Sequence, residues 1–192
     1  MSDSSRDELS PPLQDIAANR RAQKWSRQAL IGRILWAFVR PVFALSPRPL
    51  WGLRNSILRL FGAKIAANVH VYPSVKITIP WNLDIGAETA IGDGAILYAL
   101  GPITIGQQAT ISQGAHLCAG THDYREADMP LIKAPITIGD GAWICADAFI
   151  GPGRKIGNRA IVAARGVVVK DIPDSVIVGG NPATFIAPRQ EP

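Results

Sequence analysis

The chain has 192 residues, 47% of them hydrophobic, enough for one domain with a well-buried core and too few for a second full domain. Residues 1–64 carry 11 Lys+Arg against 4 Asp+Glu and residues 65–192 carry 9 against 11, so the net charge of +5 belongs to the N-terminal third. That sign suits anionic lipid headgroups or a phosphorylated substrate, whereas no nucleic-acid-binding motif is present and a nucleic-acid partner is not expected.

Residues 1–24 are polar, rich in Ser, Asp, Pro and Arg, and read as a mobile tail with nothing resembling a cleavable secretion signal. Cys118 and Cys145 are isolated and lack CxxC spacing, which fits a reducing cytoplasm. In residues 25–64 the character changes. Trp25, Ile31, Leu35, Phe38 and Val39, then Leu50, Leu53, Ile57 and Leu60, recur at helical intervals, predicting two short amphipathic helices parted at Ser46-Pro47-Arg48-Pro49. The longest apolar run, Ala29 to Leu45, contains Arg33, Arg40 and Pro41 and falls short of the ~20 uncharged residues that span a bilayer. Arg27, Arg33, Arg40, Arg54 and Arg59 beside Trp, Phe and Leu suit either of two roles. One is peripheral contact with the inner membrane face, and the other is a helical cap over the open end of the domain that begins at residue 65.

From residue 65 to 192 the period becomes six: Ile65, Val71, Ile77, Leu83; then Ile85, Ile91, Leu97, Ile103; then Ile105, Ile111, Leu117; and finally Ile138, Ile144, Ile150, Ile156, Val162 and Val168. Gly commonly follows the aliphatic residue, as at Gly86, Gly92, Gly106, Gly139, Gly151 and Gly157, and Ala often stands four after it. Neither a helix nor a half-buried strand has this period. It specifies an all-β fold, a left-handed parallel β-helix of hexapeptide repeats with an N-terminal helical segment. Three hexads make a coil of about 18 residues, each aliphatic side chain pointing inward onto its equivalent one coil away. Two-residue slips at Leu83/Ile85 and Ile103/Ile105 interrupt the phase without ending the repeat.

The series stops once, at residues 121–135, where Thr121-His122-Asp123-Tyr124-Arg125-Glu126 and the residues after them bring one His, three carboxylates, one Tyr and two cations. A polar loop leaving a rigid prism is a suitable place for a site. His122 is the candidate general base, since neutral imidazole takes a proton near neutral pH. Asp123 is a candidate to orient its ring.

The chain resembles the hexapeptide-repeat acyltransferases, and within them the colanic-acid-type exopolysaccharide O-acetyltransferases and the galactoside and maltose acetyltransferases. The resemblance covers about residues 46–188 and is carried by Ile79-Pro80-Trp81-Asn82-Leu83, Ser112-Gln113-Gly114-Ala115-His116-Leu117-Cys118, Gly120-Thr121-His122-Asp123-Tyr124 and Gly179-Gly180-Asn181-Pro182-Ala183. It implies acetyl-CoA as acyl donor, a sugar or lipid-linked sugar hydroxyl as acceptor, and direct transfer with His122 as base. It also implies a homotrimer with the cofactor in the groove between subunits. Matched residue by residue, Trp143, Ala146 and Ala164 would line the cofactor path and Lys170 would meet phosphate, with Arg165 as a further phosphate contact. Two departures stand out. The family's acceptor-orienting Asn is missing from Tyr98-Ala99-Leu100-Gly101, and Thr184 stands where a cation commonly follows Pro-Ala, leaving Arg189.

Two other classes compete. A non-catalytic scaffold in a polysaccharide assembly complex would have the same fold and a dispensable His122. A carbonic-anhydrase-like β-helix would need three histidines around zinc, and His70, His116 and His122 are spaced so that they do not stack. No metal is expected. Cys118 and Cys145 occupy small-residue slots beside inward aliphatics, so packing accounts for them and a thiolate nucleophile is not expected.

Overall fold

The computed structural model describes residues 13–190, and the first half of the expected tail lies outside them. Helix α1 (Ile16–Arg21) opens on Asp15, whose carboxylate caps the Ala18 amide at 2.8 Å. Helix α2 (Arg27–Leu45) is capped by Ser26 and runs without interruption through Pro41. The arginines and proline expected to break this run leave 19 continuous residues, which by length and composition alone could cross a membrane. After the expected break comes helix α3 (Trp51–Leu60).

The remainder is a left-handed parallel β-helix of about six turns. Its three faces hold five, seven and five short strands, parallel and in register except that the last, Thr184–Pro188, pairs antiparallel with Val176–Gly179. Three inward columns form the core: Ile65, Ile85, Ile105, Ile138 and Ile156; Val71, Ile91, Ile111, Ile144 and Val162; and Ile77, Leu97, Leu117, Ile150 and Val168, all buried. The first coils are longer than the hexads suggest. Ile65 pairs with Ile85 and Ile85 with Ile105, a rise of 20 residues per coil, whereas Ile138 pairs with Ile156 after 18. The extra pair lengthens one strand, so that Leu83 and Ile85 both point inward and Asp84 between them points out.

Glycine follows the aliphatic residue because coils come closest there. A Cβ on Gly139 would stand 2.6 Å from the Asn158 amide, and one on Gly157 2.4 Å from that of Asp174. The side chains next in sequence form a ladder along the same corner: Asp140 accepts from the Gln107 amide, Asn158 from the Asp140 amide and Asp174 from the Asn158 amide, at 2.8–2.9 Å.

In each coil the carbonyls accept from the coil before, as Ile85, Thr89, Ile91 and Leu97 do from Ala66, His70, Tyr72 and Thr78. Coil one has no predecessor, and helix side chains supply the donors. Arg59 Nε reaches the Ile65 carbonyl (3.0 Å), Asn55 that of Val69 (2.8 Å), Arg54 Nε that of Val71 (2.7 Å) and Trp36 Nε1 that of Ile77 (2.9 Å). Each acceptor is the counterpart, 20 residues earlier, of a bonded carbonyl in coil two. Arg54 is fully buried and also donates to Ser46 Oγ and the Pro47 and Arg48 carbonyls. Arg54 and Arg59 are therefore capping residues, filling the second of the two roles open to this segment.

Replacing Arg54 by Met keeps the apolar stem and leaves these acceptors without a donor. Urea unfolding of Arg54→Met is expected to show a loss of about 1–3 kcal/mol, the cost of stranding a buried polar group. An unchanged midpoint would mean the cap does not hold the end of the prism.

Candidate active site

The excursion leaves the prism at the corner between its third and first faces and folds back as a hairpin, Thr121–His122 pairing antiparallel with Leu131–Ile132. Gly101 makes room for it, since a Cβ there would meet the Ala134 carbonyl oxygen and the Lys133 carbonyl carbon at 2.9 Å. His122 is exposed, and its Nδ1 lies 2.6 Å from the Met129 carbonyl oxygen. A carbonyl only accepts, so Nδ1 carries the proton, and in the neutral ring Nε2 is then the nitrogen with the free lone pair.

Asp123 does not orient the ring. Its carboxylate forms a two-point pair with Arg125 (2.8 and 2.7 Å) and accepts from the Arg125 amide, which together hold its pKa down at about 2. The orienting group is the Met129 backbone carbonyl, in a residue of φ 45°. A backbone acceptor across a hairpin leaves no signature in side-chain identity.

A second contribution comes from residues read as tail. Asn19 in α1 donates its amide at 2.6 Å to both the Asp128 and Met129 carbonyls, and the Asp15 amide donates to the Ala127 carbonyl at 2.7 Å. Lys24 Nζ donates to Asn19 Oδ1, and Lys133 Nζ to the Lys24 carbonyl while lying 3.9 Å from the Trp25 ring centroid. The one available sequence signal was Asp15 ahead of Ile16-Ala17-Ala18, an N-cap before helix formers.

The expected cofactor residues fall into two groups. Trp143, Ala146, Ala164 and Arg165 line the corner between the second and third faces, Trp143 pairing with Ile161 one coil on and the Arg165 amide donating to the Ala146 carbonyl (2.9 Å). The Trp143 indole is 45% exposed and donates to Ser112 Oγ; Ala164 and Arg165 are exposed, and Arg165 lies 3.7 Å from Asp147. Lys170 follows the strand Val167–Val168 and so sits on the His122 corner, away from the other four. Arg189 is occupied with the Gly141 and Arg159 carbonyls. At the segment lacking the acceptor-orienting Asn, Asn82 donates to the Ala99 and Leu100 carbonyls from the coil before.

The remaining candidates are accounted for by packing. His70 stacks on Trp51 at 4.6 Å, and His116 packs edge-on to Phe149 at 5.3 Å, burial lowering its pKa. Burial pushes the Cys145 thiol up, away from the reactive thiolate. Among the described residues no group of three or more His, Cys, Asp or Glu could hold a metal ion.

No family model matches the chain. It is 45% identical over 159 residues to the colanic acid biosynthesis acetyltransferase WcaF of Escherichia coli (strain K12), covering 83% of this chain and 87% of that one. Identity to the galactoside O-acetyltransferase of the same organism is 28%, over 69% of this chain and 67% of that one. A hexapeptide-repeat acetyltransferase of Vibrio cholerae, solved with acetyl coenzyme A, superposes with a TM-score of 0.80 at 25% identity, covering 88% of this chain and 93% of that one.

The Asp123–Arg125 pair stabilises the hairpin above the ordinary carboxylate range, and that contribution is lost as pH falls toward 2. In Arg125→Ala the Asp123 carboxyl, followed by NMR titration, is expected to move from about 2 toward its ordinary value of 3.8. An unmoved titration would show that the pair does not set it.

Proposed function

The chain belongs to the hexapeptide-repeat acetyltransferases, and we propose that within this acetyl-CoA-dependent family it acetylates a sugar hydroxyl in exopolysaccharide or cell-surface glycan synthesis, with His122 as general base. The observation that carries this reading is the Nδ1 contact to the Met129 carbonyl, which in a neutral ring fixes the tautomer with the proton on Nδ1 and Nε2 as the basic nitrogen.

Acetyl-CoA supplies the activated acetyl thioester. The corner formed by Trp143, Ala146, Ala164 and Arg165 fits such a ligand: an exposed indole for apolar contact, two methyl-sized side chains that let a chain approach the backbone, and a cation for phosphate. Lys170 would reach the ligand's phosphate from the other corner. His122 Nε2 takes the acceptor hydroxyl proton as the oxygen bonds to the acetyl carbon. The carbon–sulfur bond breaks, and the imidazolium returns the proton to the leaving sulfur, so the base is regenerated without a covalent enzyme intermediate.

His122 and the Trp143 corner stand on different edges of one prism, which supports a homotrimer in which each site is shared between neighbouring copies. The acceptor would be a free or lipid-linked sugar on the cytoplasmic side, with α2 (Arg27–Leu45), out of the basic segment 25–64, in peripheral contact with the inner membrane face. The similarity to WcaF, whose name refers it to colanic acid biosynthesis, supports the polysaccharide setting.

Thiol release from acetyl-CoA by wild type and His122→Ala across a panel of sugars and lipid-linked sugars tests the mechanism. Acceptor-dependent release is expected to fall at least ~10²-fold in the variant, the usual contribution of a general base. Equal release by both would remove His122 from that role.

A further inference from the structure

We propose that α2 lies in the plane of an anionic bilayer surface, with the face opposite Trp36 and Phe43 in the lipid. The helix touches the prism along one narrow stripe, where Trp36 and Phe43 are 4% and 1% exposed. On the opposite side Ile31, Ile34, Leu35, Phe38, Val42 and Leu45 stand at helical spacing, all more than half exposed, Phe38 at 77% and Leu45 at 84%. A face of this width is not left to water.

Charge selects the occupant. From Ile16 to Leu83 there is no Asp or Glu among 68 residues, against eleven Lys+Arg. Arg54 and Arg59 serve the prism, but Arg20, Arg21, Arg27 and Arg40 are exposed, and none forms a salt bridge among the described residues. A second copy pairing through the same face would bring identical cations together, whereas anionic headgroups attract them. The helix lies flat because its inner stripe is tied to the prism by Trp36 Nε1 on the Ile77 carbonyl, and a spanning orientation would carry that polar edge into hydrocarbon. This orientation refines the membrane contact proposed above, and vesicle binding reads no acetyl transfer, so the two stand or fall separately.

The full chain is sedimented with vesicles of phosphatidylcholine, alone or mixed with phosphatidylglycerol. Binding to the mixed vesicles, weakened by salt, is expected, with a fall of at least about tenfold in Ile34→Glu/Phe38→Glu and about fivefold in Arg27→Gln. All three positions are exposed, so melting temperatures should hold. No wild-type binding to the mixed vesicles, equal binding to neutral ones, or equal binding by the Glu variant overturns the proposal. A drop in solution mass of the Glu variant without lipid assigns the face to a second copy instead.

A different observation carries a second inference: the geometry points to Asn19 as a positioning residue for His122. The Met129 carbonyl that holds Nδ1 is also held by the Asn19 amide, so α1 sets the position of the acceptor that aims the ring. This rests on His122 being the base. In Asn19→Ala, kcat is expected to fall about tenfold with KM for acetyl-CoA unchanged and an altered pH profile, Asn19→Gln to recover part of the loss, and Asn19→Ala/His122→Ala to be no worse than His122→Ala. Wild-type kcat in Asn19→Ala beside an inactive His122→Ala would sink the positioning role alone. Full activity in His122→Ala would sink the base itself.

Discussion

A parallel β-helix satisfies its backbone by handing each coil's hydrogen bonds to the next, so its first coil presents carbonyls with nothing behind them. The rest of this structure depends on how that edge is closed. Four side chains, Trp36, Arg54, Asn55 and Arg59, place donors on the carbonyls that a preceding coil would have served. A guanidinium suits the task because it carries several donors and no acceptor, so one buried Arg54 can serve Val71, Ser46, Pro47 and Arg48 together. Carbonyl dipoles surround its charge in place of a carboxylate.

With that end closed, three aliphatic columns make a stiff rod, and stiffness is what a single polar excursion requires. The hairpin at Thr121–Ile132 is anchored at both feet in regular coil, and its own cross-strand contact aims His122. Chemistry and scaffold are thereby divided: among the described residues the one buried polar side chain of the coils is Thr89, at a corner, whose hydroxyl is itself bonded to the Gly106 carbonyl, while the hairpin collects charge freely.

The N-terminal segment joins the two. Helix α3 closes the prism, the inner stripe of α2 packs on it, and α1 reaches across to the hairpin. One basic stretch thus combines structural cations, which face carbonyls, with exposed cations beside an apolar helix face. The excess of Lys and Arg belongs to this one stretch of the sequence, but its physical roles within it differ.

Period and composition were sufficient for the β-helix, because every inward position repeats and only a three-sided coil satisfies a period of six. The interruption at 121–135 and the histidine within it were equally plain, since a broken repeat is visible in one dimension. What the tertiary structure decided were matters of direction. Asp123 turned to Arg125, the Met129 carbonyl took the ring, and Lys170 came to a different corner from Trp143, Ala146, Ala164 and Arg165. Arg54 and Arg59 went inward to the prism and not outward to lipid. Backbone acceptors have no side-chain identity, and contacts such as Asn19 to Met129 join residues 110 apart, so neither is legible until the chain is folded.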